Sequence, residues 1–554
     1  MLVSTPEHLS QLKKSLTSAK IAIVIDTETN VTPFLENRYC MGISVCVDGD
    51  QVYYVPVHHN EWGSGEILTT DLQGVFDVFS SAPIVFHNAK FDLTVLEKLK
   101  IFIPVGQIYD TMIMAHLYDE DYMGQATSFE LDDLVRHYLG IRKEVALAKA
   151  MKDFKWEEVP AKIMAKYAEQ DAVATYHLFM FFKNKFDEYE KTWEIDREFM
   201  LLLREMELKG VRLNREKTQA SLKENEFWVE NFKKNLGFDP GKKKELQKYF
   251  FEDLGLKPLT FTPARHEPQV NTNFLVKTDT PETRAFRQYK EINKRVTSYY
   301  RPYLRLAPSG RFHASYRQHG TVTGRLSCFD PNMQQIPRDS DIKSFFLPEE
   351  GCELWEIDYR TLELRLAAVY SQQHNLLEVF KVDGDVHQLT ADLLGISRQH
   401  AKTVNFAIIY GAGKDALAFQ LNCSVEIAAG ILFDFRRAYP NLFKKAQEAN
   451  MACQKNGGKI KMWSGRHRHF RHSSEYHKAF NSIVQGGGFE IVKRSMLDLR
   501  EKGFDMRNQV HDSVWLNIPT EEVSEKIPQA ESIMSDWTEE MFGLKFSVES
   551  KRLA

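Results

Sequence analysis

Short apolar runs that end in acidic residues mark the first part of the chain. The run Ile21–Ile25 is followed at once by Asp26, Thr27 and Glu28, which predicts a buried strand whose carboxyl end carries acids. Further strand-like pieces, GISVCV, VYYVPV and PIVFHN, alternate with helical patterns near residues 71–80, 91–100, 110–119 and 129–139. This alternation predicts an α/β domain over residues 1–190.

After residue 190 the pattern changes to long, charged, amphipathic helices, which places a domain boundary there and predicts a helical subdomain to about residue 305. From residue 306 onward, β-rich pieces such as CELWEIDY and VWLNIP bracket a helical block from about 371 to 470. We therefore expect two domains, residues 1–190 and 191–554.

Composition and charge narrow the class of protein. The six cysteines are scattered without a C-x-x-C pair, which is typical of a reducing compartment and predicts neither disulfides nor structural zinc. The first residues lack the apolar segment of a signal peptide, and no apolar run is long enough to span a bilayer. We expect an intracellular, cytoplasmic protein with no membrane partner. The net charge of −4 argues against a uniformly basic surface but leaves room for local basic patches.

A first group of acids is spread over three segments. Asp26 and Glu28 alone would fit a polar turn, but Asp92 follows the apolar strand PIVF, and Tyr167 and Asp171 lie one turn apart on a helical stretch. These carboxylates converge at one edge of the predicted sheet. Hard oxygen ligands suit Mg²⁺ or Mn²⁺, and two such ions can orient a water against a phosphodiester.

A second pair of acids lies in the C-terminal half. Asp358 closes the apolar strand CELWEIDY, and Asp512 lies in NQVHDSVW, a stretch that otherwise predicts a continuous strand. If Asp512 is considered alone, the alternative is a solvent-facing residue on an edge strand or in a turn. Two aspartates on separate strands can share a pair of ions and hold a phosphoryl group for in-line transfer.

Between these acids, residues 397–413 predict a helix with Ser397 as N-cap. Arg398, Lys402 and Phe406 recur every four residues and form one stripe, with Tyr410 further round the same side. The alternative is an amphipathic helix with extended cationic side chains. Cations in the first turns oppose the helix dipole, however, so a bound polyanion such as a triphosphate would explain them.

The three N-terminal segments carry D-x-E, N-x-x-F-D and Y-x-x-x-D in this order. Over about 185 residues the chain resembles the DEDDy 3′–5′ exonucleases, whose domain has a ribonuclease H-like α/β fold. The resemblance implies that Asp26, Glu28, Asp92 and Asp171 hold two metal ions and that Tyr167 positions the attacking water.

From about residue 200 to the C-terminus the chain resembles the family-A DNA polymerases, the group of bacterial DNA polymerase I and compact phage-type replicases. The resemblance rests on TVTGRLSCFDPNMQQIP, D-Y-x-x-x-E at 358–363, R-x-x-x-K-x-x-x-F-x-x-x-Y, NSIVQGGGFEIVK and VHDS. It implies a right-hand fold, with an α+β palm at about 306–370 and 471–554. Helical fingers would occupy about 371–470, and a helical thumb about 212–305.

The resemblance also implies roles for individual residues. The incoming nucleotide would meet His387, Arg398, Lys402, Phe406 and Tyr410, and Glu363 would crowd the sugar 2′ position. Arg325, Gln485 and His511 would touch the minor groove of the primer-template near the new base pair, where acceptors common to all bases permit binding without sequence preference. Basic residues predict a phosphate track, although some of them fit a solvated helix face equally well: Arg284, Arg287, Lys290, Lys294, Arg295, Arg301 and Arg305.

The chain departs from the family pattern at four positions. Arg360 and Thr361 replace the Ser-Gln that usually follows D-Y, and Ala407 replaces the Gly that follows the Phe of the finger helix. Ser513 stands where the family has the Glu of H-D-E, so the role of that carboxylate is lost or moved. No 5′-nuclease domain precedes the exonuclease segment, which predicts a proofreading polymerase rather than a full repair enzyme.

We therefore expect template-directed DNA synthesis with 3′–5′ proofreading, using two Mg²⁺ ions per active site, with Mn²⁺ as an alternative. The expected partners are primer-template DNA and deoxynucleoside triphosphates, and we expect a monomer in a bacterial or phage-infected cell. A single-subunit RNA polymerase is an alternative, against which Glu363 and the exonuclease segment argue. A non-catalytic nucleic-acid-binding scaffold is a second, against which the six metal-site acids argue.

Overall fold

The computed structural model describes residues 1–32, 37–59, 69–122, 128–142, 155–262, 265–337 and 341–554. The chain divides into two compact units. The first unit comprises residues 1–208, 316–328 and 355–551, and the second comprises 209–315, 329–354 and 552–554. The predicted boundary near residue 190 therefore differs from this division, because the helix that follows it belongs to the first unit.

Helices account for most of the regular structure in both units. The α-helices are α1 Pro6–Ser18, α2 Thr69–Phe76, α3 Ala89–Lys98, α4 Thr111–Tyr118, α5 Leu131–Leu139, α6 Ala161–Lys183, α7 Glu190–Lys209, α8 Arg215–Leu236, α9 Lys243–Gln247, α10 Thr272–Thr278, α11 Pro281–Arg295, α12 Arg301–Leu306, α13 Leu362–Ser371, α14 His374–Lys381, α15 Val386–Leu394, α16 Arg398–Ile409, α17 Lys414–Leu421, α18 Val425–Ala438, α19 Pro440–Lys455, α20 Ala479–Glu501 and α21 Val523–Phe542. Within the described ranges no single helix is long and apolar enough to cross a membrane; α17 and α18 pass that test only as a pair bent by 109°.

The strands of the described residues form five sheets. They are β1 Ile23–Thr29, β2 Cys40–Val47, β3 Gln51–Pro56, β4 Ile84–Phe86, β5 Ile108–Asp110, β6 Val211–Leu213, β7 Arg311–Phe312, β8 Ser315–Arg317, β9 Ser327–Phe329, β10 Phe346–Leu347, β11 Cys352–Tyr359, β12 Lys459–Lys461, β13 His467–His469, β14 Asp505–Val510, β15 Ser513–Pro519 and β16 Val548–Arg552. Their orders are β3-β2-β1-β4-β5, β10-β6-β7, β14-β15-β11-β16, β12-β13 and β8-β9.

The N-terminal sheet confirms the predicted α/β domain. Strand β1 lies at its centre, antiparallel to β2 and parallel to β4, and α6 packs against β1, β2 and β3. In β1, Ile23, Val24 and Ile25 have no exposed surface, which agrees with the predicted buried strand. As predicted, the strand carries the acids Asp26 and Glu28 at its carboxyl end. It continues to Thr29 because pairing with β2 extends through Asp26 and Glu28.

The four-stranded sheet carries the second pair of acids. Asp358 lies near the end of β11, as predicted. The expected continuous strand around Asp512 is wrong, because β14 and β15 form a hairpin in which Val510 pairs with Ser513. His511 and Asp512 make the turn, and the positive φ of 53° at His511 reverses the chain. Asp512 therefore lies at the tip of a hairpin instead of inside a strand.

The second unit contains helices α8 to α12, which cover most of the predicted thumb. An aromatic core joins α8, α9, α10 and α11, with Phe250, Phe274 and Phe286 almost fully buried. Part of the predicted phosphate track is already paired with acids. Arg284 and Arg287 both contact Asp279, and other members of the run contact neighbouring glutamates: Arg295 with Glu291 and Arg301 with Glu226.

Four charged side chains are buried together inside the first unit. Asp196 of α7 accepts from Lys493 Nζ at 2.6 Å and from Arg466, and Glu490 accepts from Arg466 Nε and Lys493 Nζ, each at 2.8 Å. All four side chains are at most 5% exposed. Burial alone would raise the pKa of Asp196, but the two cations hold it below its usual value. This buried ion cluster joins α7, α20 and the segment between β12 and β13.

We predict that Asp196→Ala destabilises the protein by about 3–5 kcal/mol, because it leaves buried cations without sufficient compensation. Chemical denaturation followed by circular dichroism measures the loss. The control is Glu198→Ala on the same helix, where a half-exposed carboxylate 3.3 Å from Arg500 should contribute about 1 kcal/mol or less. Equal losses in the two variants would contradict the structural role assigned to the buried ion cluster.

Candidate active sites

The N-terminal acids meet where β1, α3 and α6 come together. Asp92 lies in the first turn of α3 and is 2% exposed. Its Oδ1 accepts from the backbone N–H of Thr27 at 2.9 Å and from the Thr27 hydroxyl at 2.7 Å. Thr27 lies between Asp26 and Glu28 on β1, so these two hydrogen bonds fix Asp92 beside the strand that carries the other acids.

The acids of this site affect one another's pKa values. Burial raises the pKa of Asp92 well above its usual value, and the charge of Asp26 raises it further. Burial also raises the pKa of the Tyr167 hydroxyl, with contributions from Asp171, Glu28 and Asp26. The structure thus brings together all five residues predicted for this site. A concentration of negative charge of this kind fits the hard-oxygen donor set of a divalent metal site.

Tyr54 on β3 also lies near these acids, and it was not predicted from the sequence. Tyr54 is fully buried, and its hydroxyl forms a hydrogen bond of 2.9 Å with His59 Nε2. Burial raises the pKa of this hydroxyl, and the charge of Glu28 raises it further. Gly42 lies opposite Glu28 on β2, and a Cβ there would come within 2.0 Å of the Tyr54 hydroxyl. Only a glycine leaves space for this tyrosine.

The second site forms where β11 meets the hairpin turn. The backbone N–H of Tyr359 donates to the carbonyl of Asp512 at 3.3 Å, so the turn lies beside the end of the strand that carries Asp358. Arg325 Nη2 is 3.8 Å from Asp512 Oδ1 and also forms an ion pair with Glu363. The two predicted acids therefore lie in one neighbourhood with a cation beside them.

A chain of contacts runs from this site to the finger helix. Glu363, with a side chain 4% exposed, accepts from Arg325 on one oxygen and from the Tyr410 hydroxyl at 2.7 Å on the other. Burial raises the pKa of Tyr410, and the charge of Glu363 raises it further. Tyr410 stacks on Phe406, with ring centroids 6.3 Å apart. Residues predicted for the nucleotide and the DNA are thus in direct contact.

The finger helix α16 begins as predicted, because Ser397 caps it by accepting from the backbone N–H of His400. Arg398 donates from Nε to Asp385 Oδ2 at 2.6 Å. Asp385 is itself the N-cap of α15. The cation in the first turn therefore has a carboxylate partner, so a bound polyanion is not required to explain it. Lys402 is exposed one turn further along the same helix.

His387 lies in the first turn of α15, close to the finger helix. Its Nδ1 is 3.0 Å from Asn405 Nδ2, and its ring centroid is 5.8 Å from that of Phe406. Burial, together with the charges of Arg398 and Lys402, lowers the pKa of His387 to about 4 against the opposing effect of Asp385. His387 is therefore a neutral hydrogen-bonding group at neutral pH. Asp385 and Asn405 were missed from the sequence, although an Asp before VHQL is a recognisable cap.

The remaining predicted DNA contacts lie on two elements near the acids. Gln485 is half-buried on α20, and His511 is the first residue of the hairpin turn, where its carbonyl accepts from Gln509 Nε2 at 2.5 Å. Their contact with a primer-template stays a prediction.

The four departures from the family pattern have different surroundings. Arg360 donates to Asp383 at 2.6 Å and to Glu549 at 3.3 Å, so its side chain serves an ion pair. Thr361 precedes α13 with a positive φ of 50°, and Ala407 is buried on α16. Ser513 is buried at the start of β15, where its hydroxyl lies 3.0 Å from Glu356 Oε1.

One further group of side chains has the spacing of metal ligands. Asp119, Glu120 and His469 offer ligand atoms within 4.8 Å of one another, and none of them was predicted from the sequence. Arginine side chains already pair with these acids, because Arg468 contacts Glu120 at 2.8 Å and Arg471 contacts Asp119. The group therefore serves as an ion-pair contact between the segment 466–471 and residues 119–121.

Comparison with known families places both halves of the chain. The family model for DNA polymerase family A matches residues 209–552, and the model for a 3′-5′ exonuclease matches residues 1–187. The chain belongs to DNA polymerase family A and carries a 3′-5′ exonuclease domain at its N-terminal side. The predicted family and fold class are confirmed.

The curated relatives are bacterial DNA polymerase I proteins. The chain is 28% identical to that of Borreliella burgdorferi, covering 94% of this chain and 61% of the relative, and 28% identical to that of Pseudomonas aeruginosa, covering 94% and 62%. It therefore spans about three fifths of the length of these relatives. The particular resemblance to phage-type replicases is not confirmed by them.

A solved structure shares the fold along the whole chain. The POL domain of Pol1 from M. smegmatis, in complex with DNA primer-template and dNTP, has a TM-score of 0.82 and 20% sequence identity. The match covers 100% of this chain and 98% of that one. At this identity the likeness shows the fold alone.

We predict that acidification costs stability through His387. Its folded pKa is about 4, below the usual 6.5, so the unfolded state binds more protons between these two values. The free energy of unfolding should therefore fall as the pH drops through that window. His387→Asn should flatten the fall, measured by urea unfolding across the window, whereas His374→Asn, at an 86% exposed side chain, should not. If the free energy of unfolding depended on pH in the same way in the parent protein and in both variants, the assignment to His387 would be contradicted.

Proposed function

We propose that this chain synthesises DNA on a primer-template from deoxynucleoside triphosphates and removes mispaired 3′ ends at its exonuclease site. The observation that carries the proposal is the contact chain from Asp512 through Arg325 and Glu363 to Tyr410, beside Asp358. It joins the acids suited to nucleotidyl transfer with the helix suited to the incoming nucleotide. The DNA and dNTP named with the M. smegmatis structure support the same two partners.

At the polymerase site, Asp358 and Asp512 would hold two divalent ions, whose carboxylate ligands the structure supplies from a strand end and an adjacent turn. When bound, such ions supply charge stabilisation at the attacking and leaving oxygens of an in-line transfer. Arg398 and Lys402 bind the triphosphate, and Phe406 and Tyr410 pack against the nucleoside. Arg398 can serve this role by exchanging Asp385 for a phosphate, because both partners are anionic oxygen acceptors.

Glu363 sets the sugar specificity in this proposal. Its carboxylate is held on both sides, by Arg325 and by Tyr410, so it cannot easily turn away from a bound nucleotide. A fixed carboxylate crowds a 2′-hydroxyl but accepts a deoxyribose. Arg325, Gln485 and His511 contact the minor groove of the primer-template beside it.

At the exonuclease site, Asp26, Glu28, Asp92 and Asp171 hold the metal pair, and the Tyr167 hydroxyl orients the attacking water. Burial raises the pKa of Tyr167 above its usual value, so its hydroxyl stays protonated well beyond neutral pH and can donate or accept a hydrogen bond. Mg²⁺ is the expected ion at both sites, with Mn²⁺ as a substitute. We further propose that the protein acts as a monomer in the cytoplasm.

We predict that the two activities separate by mutation. Asp512→Asn should abolish primer extension with Mg²⁺, because a neutral amide is a poor ligand for this ion, and leave digestion of single strands nearly unchanged. Asp26→Ala with Glu28→Ala should have the reverse effect. Extension and digestion of one labelled oligonucleotide measure both. Loss of both activities in either variant would show that the sites are not independent.

We predict that Glu363→Ala increases ribonucleotide incorporation relative to deoxyribonucleotide incorporation, because it opens space at the sugar 2′ position. Glu363→Gln is the matched control, since it keeps the size of the side chain and should retain most of the discrimination. Single-nucleotide extension in an exonuclease-disabled background gives the ratio of kcat/KM for the two substrates. An unchanged ratio in the alanine variant would remove Glu363 from the sugar pocket.

A further inference from the structure

Asp110, the last residue of β5, is a buried carboxylate to which neither proposed reaction gives a role. It is 2% exposed, and as the N-cap of α4 its Oδ1 accepts from the backbone N–H groups of Met112 and Ile113 at 2.9 and 3.4 Å. The same side chain also accepts from the start of α3. The N–H of Asn88 donates to Oδ1 at 3.2 Å, and the N–H of Ala89 donates to Oδ2 at 2.8 Å. One carboxylate thus binds the N-terminal ends of two helices.

The cap of α4 does not by itself explain why this side chain is a carboxylate. A serine or threonine hydroxyl can cap a helix with a single oxygen, whereas Asp110 receives four N–H donors on its two oxygens. An asparagine could keep the three hydrogen bonds of Oδ1, but its amide group would meet the Ala89 N–H with a second donor. A side chain that accepts on both oxygens is therefore needed to bind α3 and α4 together.

The start of α3 depends on this contact from β5. Asn88, the N-cap of α3, has a left-handed backbone with a φ of 76°, and within the described residues its side chain makes no capping hydrogen bond. The carboxylate of Asp110 instead accepts from the N–H of Asn88 and from that of the first helical residue, Ala89. The position of this end of α3 is therefore set by a side chain of another strand.

The first turn of α3 carries Asp92, three residues after Ala89. The carboxylate of Asp92 is fixed at its far end, because Oδ1 accepts from the N–H and the hydroxyl of Thr27, between Asp26 and Glu28. The start of the helix is the other fixed point. Ligands of a metal site must be held to within about 0.5 Å of their working positions. A small displacement of the start of α3 is therefore enough to move Asp92 out of register with the acids of β1.

We propose that Asp110 is a positioning residue of the exonuclease reaction, which fixes the start of α3 through Asn88 and Ala89 and thereby sets the distance from Asp92 to the other acids. It acts through the helix and is not itself a metal ligand. This proposal rests on the proposed exonuclease function. It adds to the five residues predicted for the site a sixth that belongs to none of the three motifs.

The test follows digestion of a labelled single-stranded oligonucleotide from low to saturating Mg²⁺. Asp110→Asn should raise the Mg²⁺ concentration for half-maximal digestion by roughly tenfold, the effect typical of losing a group that orients a metal ligand. The KM for the oligonucleotide at saturating Mg²⁺ should change by less than about twofold, because Asp110 does not touch the strand. The initial rate of primer extension by the same protein should be unchanged, which shows that the variant is folded.

Two further variants separate the role at α3 from the cap of α4. Asp110→Ser keeps an oxygen that can cap α4 but is too short to reach Ala89, so it should raise the Mg²⁺ requirement at least as much as Asp110→Asn. The matched control is Asp48→Asn in the same domain. Asp48 also accepts from backbone N–H groups, those of Lys20, Ile21 and Ala22, but at the end of β1 opposite to the acids. This control should leave the Mg²⁺ requirement unchanged.

Hydrogen exchange measured by mass spectrometry locates the effect. In Asp110→Asn, exchange should accelerate in the peptide that contains Ala89 and much less in the peptide that contains Met112. An unaltered Mg²⁺ requirement in Asp110→Asn or in Asp110→Ser overturns the proposal, and so does loss of primer extension together with digestion, which would make Asp110 a residue of the whole fold. A parent protein that digests no single strand at any Mg²⁺ concentration would instead overturn the proposed exonuclease function.

Discussion

The cost of withdrawing charge from water is the constraint on which this structure depends. Each important acid is held by compensating groups: Asp196 by Arg466 and Lys493, Glu363 by Arg325 and Tyr410, and Asp92 by the hydrogen bonds of Thr27. Where positive charge compensates fully, as at Asp196, the pKa falls and the group is structural. Where it does not, as at Asp92, the pKa rises and the site is suited to a metal ion.

The two candidate sites share one structural arrangement on different sheets. Each sets acids on a strand and brings a further acid from a separate element: a helix turn for Asp92 and a hairpin turn for Asp512. A strand holds its side chains at fixed spacing, and the second element adjusts the distance between carboxylates.

Many elements of the fold and several residues of the candidate sites could be predicted from the sequence, because local sequence patterns determine them. The buried strand at Ile23–Ile25, the Ser397 cap and the helix carrying Tyr167 and Asp171 follow from apolar patterning and capping. What could not be predicted depends on contacts between distant segments. The hairpin turn has a positive φ at His511, a position where the sequence has no glycine to indicate a turn. The partners of Arg398 and Glu363 lie on other helices and strands. The helix dipole alone did not predict the ion pair of Arg398, because its partner Asp385 lies on another helix.

The buried ion cluster has a consequence for modularity. Asp196 lies beyond the end of the matched exonuclease domain at residue 187, yet it balances cations on α20 and beside β13 in the polymerase part. Nearby, Arg468 and Arg471 depend on acids at 119–121. The exonuclease domain and the polymerase domain are therefore not structurally independent of each other. A polymerase fragment that begins after α7 would lose Asp196 and leave two buried cations without this carboxylate. A fragment that begins before α7 would keep it, so a fusion of domains from different proteins must keep that helix with the polymerase domain.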